Sequence, residues 1–156
     1  MIAHNREMQQ KSGKVKMTSF TGGCLCGSVL YTYEGELGGT AGAVTVCHCA
    51  SCRKAQGYAV GVVPASADCF VVTAGDDLIR EYESSPGKKR AFCTLCGSPL
   101  YSRRDDQPEA LRIRLGSLDH PPESLTVDAH TYTDGAPAWA GPDDAPRYPG
   151  LEPGRK

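Results

Sequence analysis

Seven of the eight cysteines fall in three short clusters whose spacing could do metal chemistry. The first is Cys24-Leu25-Cys26-Gly27, the second Cys47-His48-Cys49-Ala50-Ser51-Cys52, and the third Cys93-Thr94-Leu95-Cys96-Gly97. A C-x-x-C-G element turns so that both sulfurs lie on one side, with glycine taking the tight backbone conformation and N–H groups aimed at the sulfurs. Cys24 and Cys26 are two residues apart, so in extended backbone they project to the same face. Two such elements supply four thiolates, the closed tetrahedron of a structural zinc. Cys24, Cys26, Cys93 and Cys96 are therefore expected to share one ion and to tie the start of the domain to its middle.

The middle cluster has three thiolates and no obvious fourth. Three protein ligands with one open position is the pattern of a catalytic zinc, so Cys47, Cys49 and Cys52 are the candidate catalytic ligands. His48 is an alternative fourth ligand, although extended backbone would point it away from Cys47 and Cys49. Cys69 is another, but alone beside Phe70 its ordinary reading is a small buried hydrophobe. Two competing readings remain. Disulfides could join the clusters, or one zinc could sit beside a redox-active C-x-x-C, which would need a βαβ context.

Charge narrows the chemistry of the open site. One Zn²⁺ with three thiolates carries a single net negative charge and is a weaker Lewis acid than a three-histidine zinc. Three-cysteine deaminases add a general acid/base glutamate. Between residues 35 and 80 the sequence offers Glu36 alone, in a glycine-rich turn. Thiol chemistry fits better, because a coordinated thiol is deprotonated yet stays nucleophilic in an anionic complex.

These residues need elements to position them. The chain has 156 residues, a length for one domain with a real core. Its net charge of −1 gives no field for nucleic acid or an anionic membrane. No apolar run approaches the roughly 20 residues of a bilayer span. Eighteen Gly and eleven Pro argue for many turns. No apolar signal segment opens the chain, so a reducing, cytoplasmic setting is expected. Residues 1–17 read as a disordered basic arm, 18–149 as the zinc domain and 150–156 as a flexible tail. Short strands are expected at 28–33, 43–47, 59–64, 69–73, 78–82, 90–93, 99–103, 111–115 and 129–133. Leu111, Ile113 and Leu115 alternate with Arg112 and Arg114, as in a half-buried strand with one wet face. One short helix is expected over 50–56, stopped by Gly57.

The clusters with their flanks, Gly22-Gly23-Cys24-Leu25-Cys26-Gly27-Ser28-Val29, Cys47 to Lys54, and Phe92-Cys93-Thr94-Leu95-Cys96-Gly97-Ser98-Pro99-Leu100, resemble the glutathione-dependent formaldehyde-activating enzyme family, also called the centromere protein V family. Gly75, Arg90, His130-Thr131-Tyr132 and Trp139 extend the resemblance, which covers about residues 18–149. It implies a mainly β, zinc-stabilised, Mss4-like fold of several coiled antiparallel sheets. It implies two Zn²⁺ per chain, divided between the clusters as above. It also implies a carbon–sulfur lyase that condenses formaldehyde with a thiol such as glutathione. A non-catalytic zinc-stabilised binding module of the same fold is the competing class, because fold does not fix function.

Glutathione carries two carboxylates, so its site should offer cations. Arg53 and Lys54, directly after the third ligand, are the candidate substrate-binding residues. Arg90 either binds substrate or pins a loop. Trp139 is expected in the core or a pocket wall, and His130 as a hydrogen-bonded core histidine. Lys88-Lys89-Arg90 and Arg103-Arg104 are basic, but Asp105-Asp106 follows the second pair as in a solvated turn, and no aromatic interleaving supports nucleic-acid binding.

Overall fold

The computed structural model describes residues 18–38 and 43–140. The expected arm, 1–17, and tail, 150–156, lie outside the described residues, as does the end of the expected domain from 141 to 149. The chain is mainly β. Strands β1 (Ser19–Gly23), β2 (Leu30–Glu34) and β3 (Ala43–Cys47) precede one helix, α1 (Ala50–Gln56). Then follow β4 (Val60–Ser66), β5 (Phe70–Ala74), β6 (Ile79–Ser85), β7 (Lys88–Cys93), β8 (Pro99–Arg104), β9 (Gln107–Arg114) and β10 (Thr126–Thr131). Each expected strand is present, shifted at its ends by a few residues, and α1 has the expected bounds. Strand β1 had no sequence signal of its own, since its Gly22-Gly23 end reads as a turn.

Two sheets form. One has the order β1-β2-β5, the other β10-β3-β4-β9-β8-β7-β6. Pairing is antiparallel except between β3 and β10, which run parallel. That pair departs from the all-antiparallel expectation and brings Thr131 beside Cys47.

Strand alternation gives the large sheet two unlike faces. Val63, Leu111 and Ile113 point into the main core, which they share with Tyr31 and Tyr33 of the small sheet and with Val29 just before β2. Burying each of these aliphatic side chains contributes about 1.5–3 kcal/mol. Cys24 and Cys93 belong to this core. On the opposite face Val62 joins Cys52 and Val60 in a second, smaller cluster that Cys47 and Cys49 pack against. The two cysteine groups thus lie on opposite sides of the sheet.

Candidate metal centres and active site

The first centre is built from two knuckles. Gly27 N–H donates to the Cys24 carbonyl at 3.0 Å and Gly97 N–H to the Cys93 carbonyl at 2.8 Å, closing both turns. Val29 N–H is aimed at Cys24 Sγ from 3.2 Å. Ser98 links the knuckles: its hydroxyl accepts from Leu25 N–H at 3.0 Å and lies 3.2 Å from Cys96 Sγ. Those contacts with Ser98 hold the Cys96 thiol down to about 5. The ligand atoms of Cys24, Cys26, Cys93 and Cys96 all lie within 4.8 Å of one another. Cys24 Sγ is 3.4 Å from Cys26 Sγ, and Cys26 Sγ is 4.0 Å from Cys93 Sγ. Zn–S bonds near 2.3 Å put tetrahedral sulfurs about 3.8 Å apart, so four soft donors at this spacing fit such an ion.

The second centre sits at the start of α1. Cys49 is the N-cap, and its Sγ accepts from Cys52 N–H at 3.3 Å. Gly57, in the left-handed conformation, ends the helix with its N–H on the Arg53 carbonyl at 2.8 Å. Cys47 comes from the end of β3. The sulfurs of Cys47, Cys49 and Cys52 again lie within 4.8 Å of one another. Burial pushes the Cys52 thiol up to about 11, and the Cys47 sulfur adds to this, against the pull of Arg90. A metal ion would reverse that preference, because coordination deprotonates a thiol outright. All eight cysteines are free, which removes the disulfide reading.

His48 is not part of the trio. It is buried, its Nε2 lies 2.9 Å from Nδ1 of His130, and its backbone N–H binds the Thr131 carbonyl. His130 is hydrogen-bonded as expected but exposed, so it is not a core residue. Cys69 packs half-buried against the main core, outside both sulfur groups. Trp139 is 63% exposed, against the expectation of burial; its ring lies beside Tyr58, 5.5 Å away, at the surface.

A cavity of about 630 Å³ opens over the three-sulfur group. Its wall carries Lys88, Arg90, Arg104, Arg112 and Arg114, and among the described residues no acidic side chain lines it. Arg53 and Lys54 are absent from its lining: they sit in the last turn of α1, where their charges complement the helix dipole. The cations come instead from the sheet. The register sets Arg90 opposite Ser102 and Ser102 opposite Arg112, with Lys88 opposite Arg104. The last is a like-charge pair, which costs up to about 1 kcal/mol.

The wet face expected of β9 is therefore a cavity wall, and Arg114 on it is only 4% exposed. Its Nε and Nη2 have no hydrogen-bond partner among the described residues. Burial, then the charge of Arg90, pushes Arg114 down to about 10. Lys88 is pushed down to about 8 by burial and then by Arg114, Arg90, Arg112 and Arg104. Arg90 spans both halves of the site, giving Nε to Ser84 Oγ and Nη1 to Cys52 Sγ. Tyr132 stands at the rim, 71% exposed, with φ of +57°. Arg103 and Arg104 are tied down by Glu81, Asp105 and Asp106, as the solvated-turn reading holds. The signal for the cations was present as Lys88-x-Arg90 and Arg112-x-Arg114, charges repeating at the strand period of two.

The sequence profile of the family described as glutathione-dependent formaldehyde-activating enzyme matches residues 19–135. The chain belongs to this family. The crystal structure of a structural-genomics target from Rhodobacter sphaeroides aligns with a TM-score of 0.58 at 24% identity, covering 71% of this chain and 99% of that one. At that identity it shows a shared fold. A 45-residue stretch is 40% identical to an adenylate kinase of Clostridium acetobutylicum, covering 29% of this chain. The match spans 21% of the kinase, about a fifth of its length. Family membership supports glutathione-dependent, formaldehyde-activating chemistry at the level of the family. No helix among the described residues is long and apolar enough to cross a membrane.

Proposed function

We propose that the protein is a zinc-dependent carbon–sulfur lyase of the cytoplasm, condensing formaldehyde or a similar aldehyde with a glutathione-like thiol. One observation carries this reading: a three-sulfur group lies on the wall of a cationic cavity, while a four-sulfur group, with Cys24 and Cys93 in the main core and Cys26 exposed, gathers on the other side of the sheet. The four-sulfur group, Cys24, Cys26, Cys93 and Cys96, is the structural site. Cys47, Cys49 and Cys52 are the catalytic ligands.

A bound Zn²⁺ would supply a fourth corner where a substrate sulfur is held deprotonated. The chain's own residues do the rest. Arg90 fixes Cys52 through one N–H and places positive charge beside the sulfurs. Lys88, Arg112 and Arg114 draw the acidic part of the thiol into the cavity. Arg53 and Lys54, at the outer end of α1, act at longer range on its approach. In the reaction the thiolate sulfur forms a bond to the carbonyl carbon, and the carbon–oxygen π bond breaks. The oxygen takes a proton equal to the one the thiol lost, and nothing is oxidised or reduced. Ser84 and Ser102 put hydroxyls on the cavity wall that can pass this proton.

The test is to incubate zinc-replete protein with glutathione and formaldehyde and to follow S-hydroxymethyl adduct formation by NMR exchange. Catalysis should raise the exchange rate at least tenfold over the uncatalysed reaction. The same rate with Cys47→Ser or Cys49→Ser protein would leave a binding module, not an enzyme. Two metal equivalents, one of them labile to chelator, are expected.

A further inference from the structure

The cations of the cavity exceed what glutathione would neutralise. Arg104 has Asp106 at 3.0 Å, but Lys88, Arg90, Arg112 and Arg114 have no carboxylate within ion-pairing reach among the described residues. The three thiolates with a divalent ion, together with a substrate thiolate, take up about two of these four charges. The tail of glutathione has two carboxylates and one ammonium, so its net charge is a single negative one. The ammonium would face a wall of like charge.

Arg114 sharpens the point. A guanidinium this deeply buried is normally paired, because leaving a buried charge with unmade hydrogen bonds is expensive. Its Nε and Nη2 are nevertheless unpartnered among the described residues, on a strand face whose lining opens into the cavity. A guanidinium offers two parallel N–H groups, the fork that receives a phosphate or carboxylate. Arg112 is two residues away on the same face, and the depressed Lys88 shows how closely these charges crowd.

We propose that this cavity holds a dianion subsite built on Arg114 with Lys88 and Arg112, and that the thiol it takes carries a tail of at least two net negative charges. Such a tail is a phosphate monoester or a pair of carboxylates without a balancing ammonium. The inference deepens the lyase reading and rests on it for the sulfur chemistry, though not for the anion site.

Titration calorimetry of the metal-loaded protein with inorganic phosphate, malonate and acetate at constant ionic strength tests it. Phosphate or malonate should bind at one site, at least tenfold more tightly than acetate. Phosphate ahead of malonate identifies the monoester tail, and the reverse order the dicarboxylate. Arg114→Gln should weaken dianion binding tenfold or more, while Arg80→Gln, exposed on β6, should leave it unchanged. Arg114→Met should melt higher than the parent without ligand and lose the upward Tm shift that phosphate gives the parent. Dianions no tighter than acetate, or equal loss in the Arg114 and Arg80 variants, would overturn the proposal. So would an Arg114→Met protein that melts lower and keeps only one metal, since Arg114 would then be a counter-ion to the sulfurs. Dianion binding without any thiol addition to formaldehyde would sink the lyase reading and keep the subsite. Condensation of glutathione with indifference to both dianions would do the reverse.

Discussion

Arg90 Nη1 lies 3.6 Å from Cys52 Sγ, joining the cationic strand β7 to the sulfur group on α1. The guanidinium is held from behind by Ser84 Oγ, 2.9 Å from Nε. A hydrogen bond to a charged partner contributes about 1.5–3 kcal/mol. Arg90→Met is therefore expected to keep the fold but to release the metal of the three-sulfur site roughly tenfold faster under chelator. Arg90→Lys should fall between, keeping the charge without the fork. Release kinetics followed with a zinc indicator check this, and equal rates from the parent and Arg90→Met would contradict the role given to Arg90.

Cys93 and Cys49 should separate the two centres. Cys93 is fully buried in the main core with Cys24. Structural zinc contributes about 10–16 kcal/mol of folding free energy, as much as a whole domain's net stability. Cys93→Ser is expected to leave no cooperative thermal transition. Cys49→Ser should stay folded, because serine is itself a good N-cap and the group it touches is small. Its metal content should drop to one equivalent. Calorimetry with metal analysis distinguishes the cases, and matched losses of Tm would refute the division.

Gly75 controls the first knuckle from outside it. Its φ is +71°, and a methyl group there would run into the Ser28 carbonyl oxygen. That backbone follows Cys26-Gly27 directly and cannot move without shifting Val29, whose N–H serves Cys24 Sγ. Gly75→Ala is expected to cost about 2–3 kcal/mol and to speed metal loss from the four-sulfur site. Urea unfolding with the zinc indicator measures both. A loss under about 0.5 kcal/mol would show that the Ser28 segment yields freely.

The division of the cysteines was legible because ligand geometry is local: a knuckle of four residues fixes where two sulfurs point. Strands were legible for a similar reason, since alternation and turn residues act over a few positions. Gly22-Gly23 hid β1, because its pairing with Tyr31 and Leu30 comes from the partner strand. The parallel pairing of β3 with β10 joins segments some 80 residues apart and leaves no local trace. Arg53 and Lys54 stand next to Cys52 in the sequence and in the last turn of α1, yet neither lines the cavity. The true wall comes from β7, β8 and β9, distant in the chain and aligned by register. Arg112 and Arg114 looked like a solvated stripe, since nothing in one strand tells solvent from a cavity.

Lys88 gives the cavity a pH dependence. Burial, and then the charges of Arg114, Arg90, Arg112 and Arg104, hold its pKa down to about 8. Near neutral pH it is charged and attracts an anion; as pH rises through about 8 that charge is lost. Affinity for sulfate, whose own charge is constant over this range, should fall about tenfold between pH 7 and 9, in line with one charged contact. The effect on folding has the opposite sense. A lysine whose folded pKa is depressed below its unfolded 10.5 destabilises the fold while charged, so the penalty is present below about 8 and relieved as pH rises toward 10.5. Lys88→Met should thus bind sulfate weakly at every pH, with a flat profile, and melt higher than the parent at pH 7. Calorimetry across the pH range checks the first and thermal melts the second. A parent profile that stays level from pH 7 to 9 would remove Lys88 from the site.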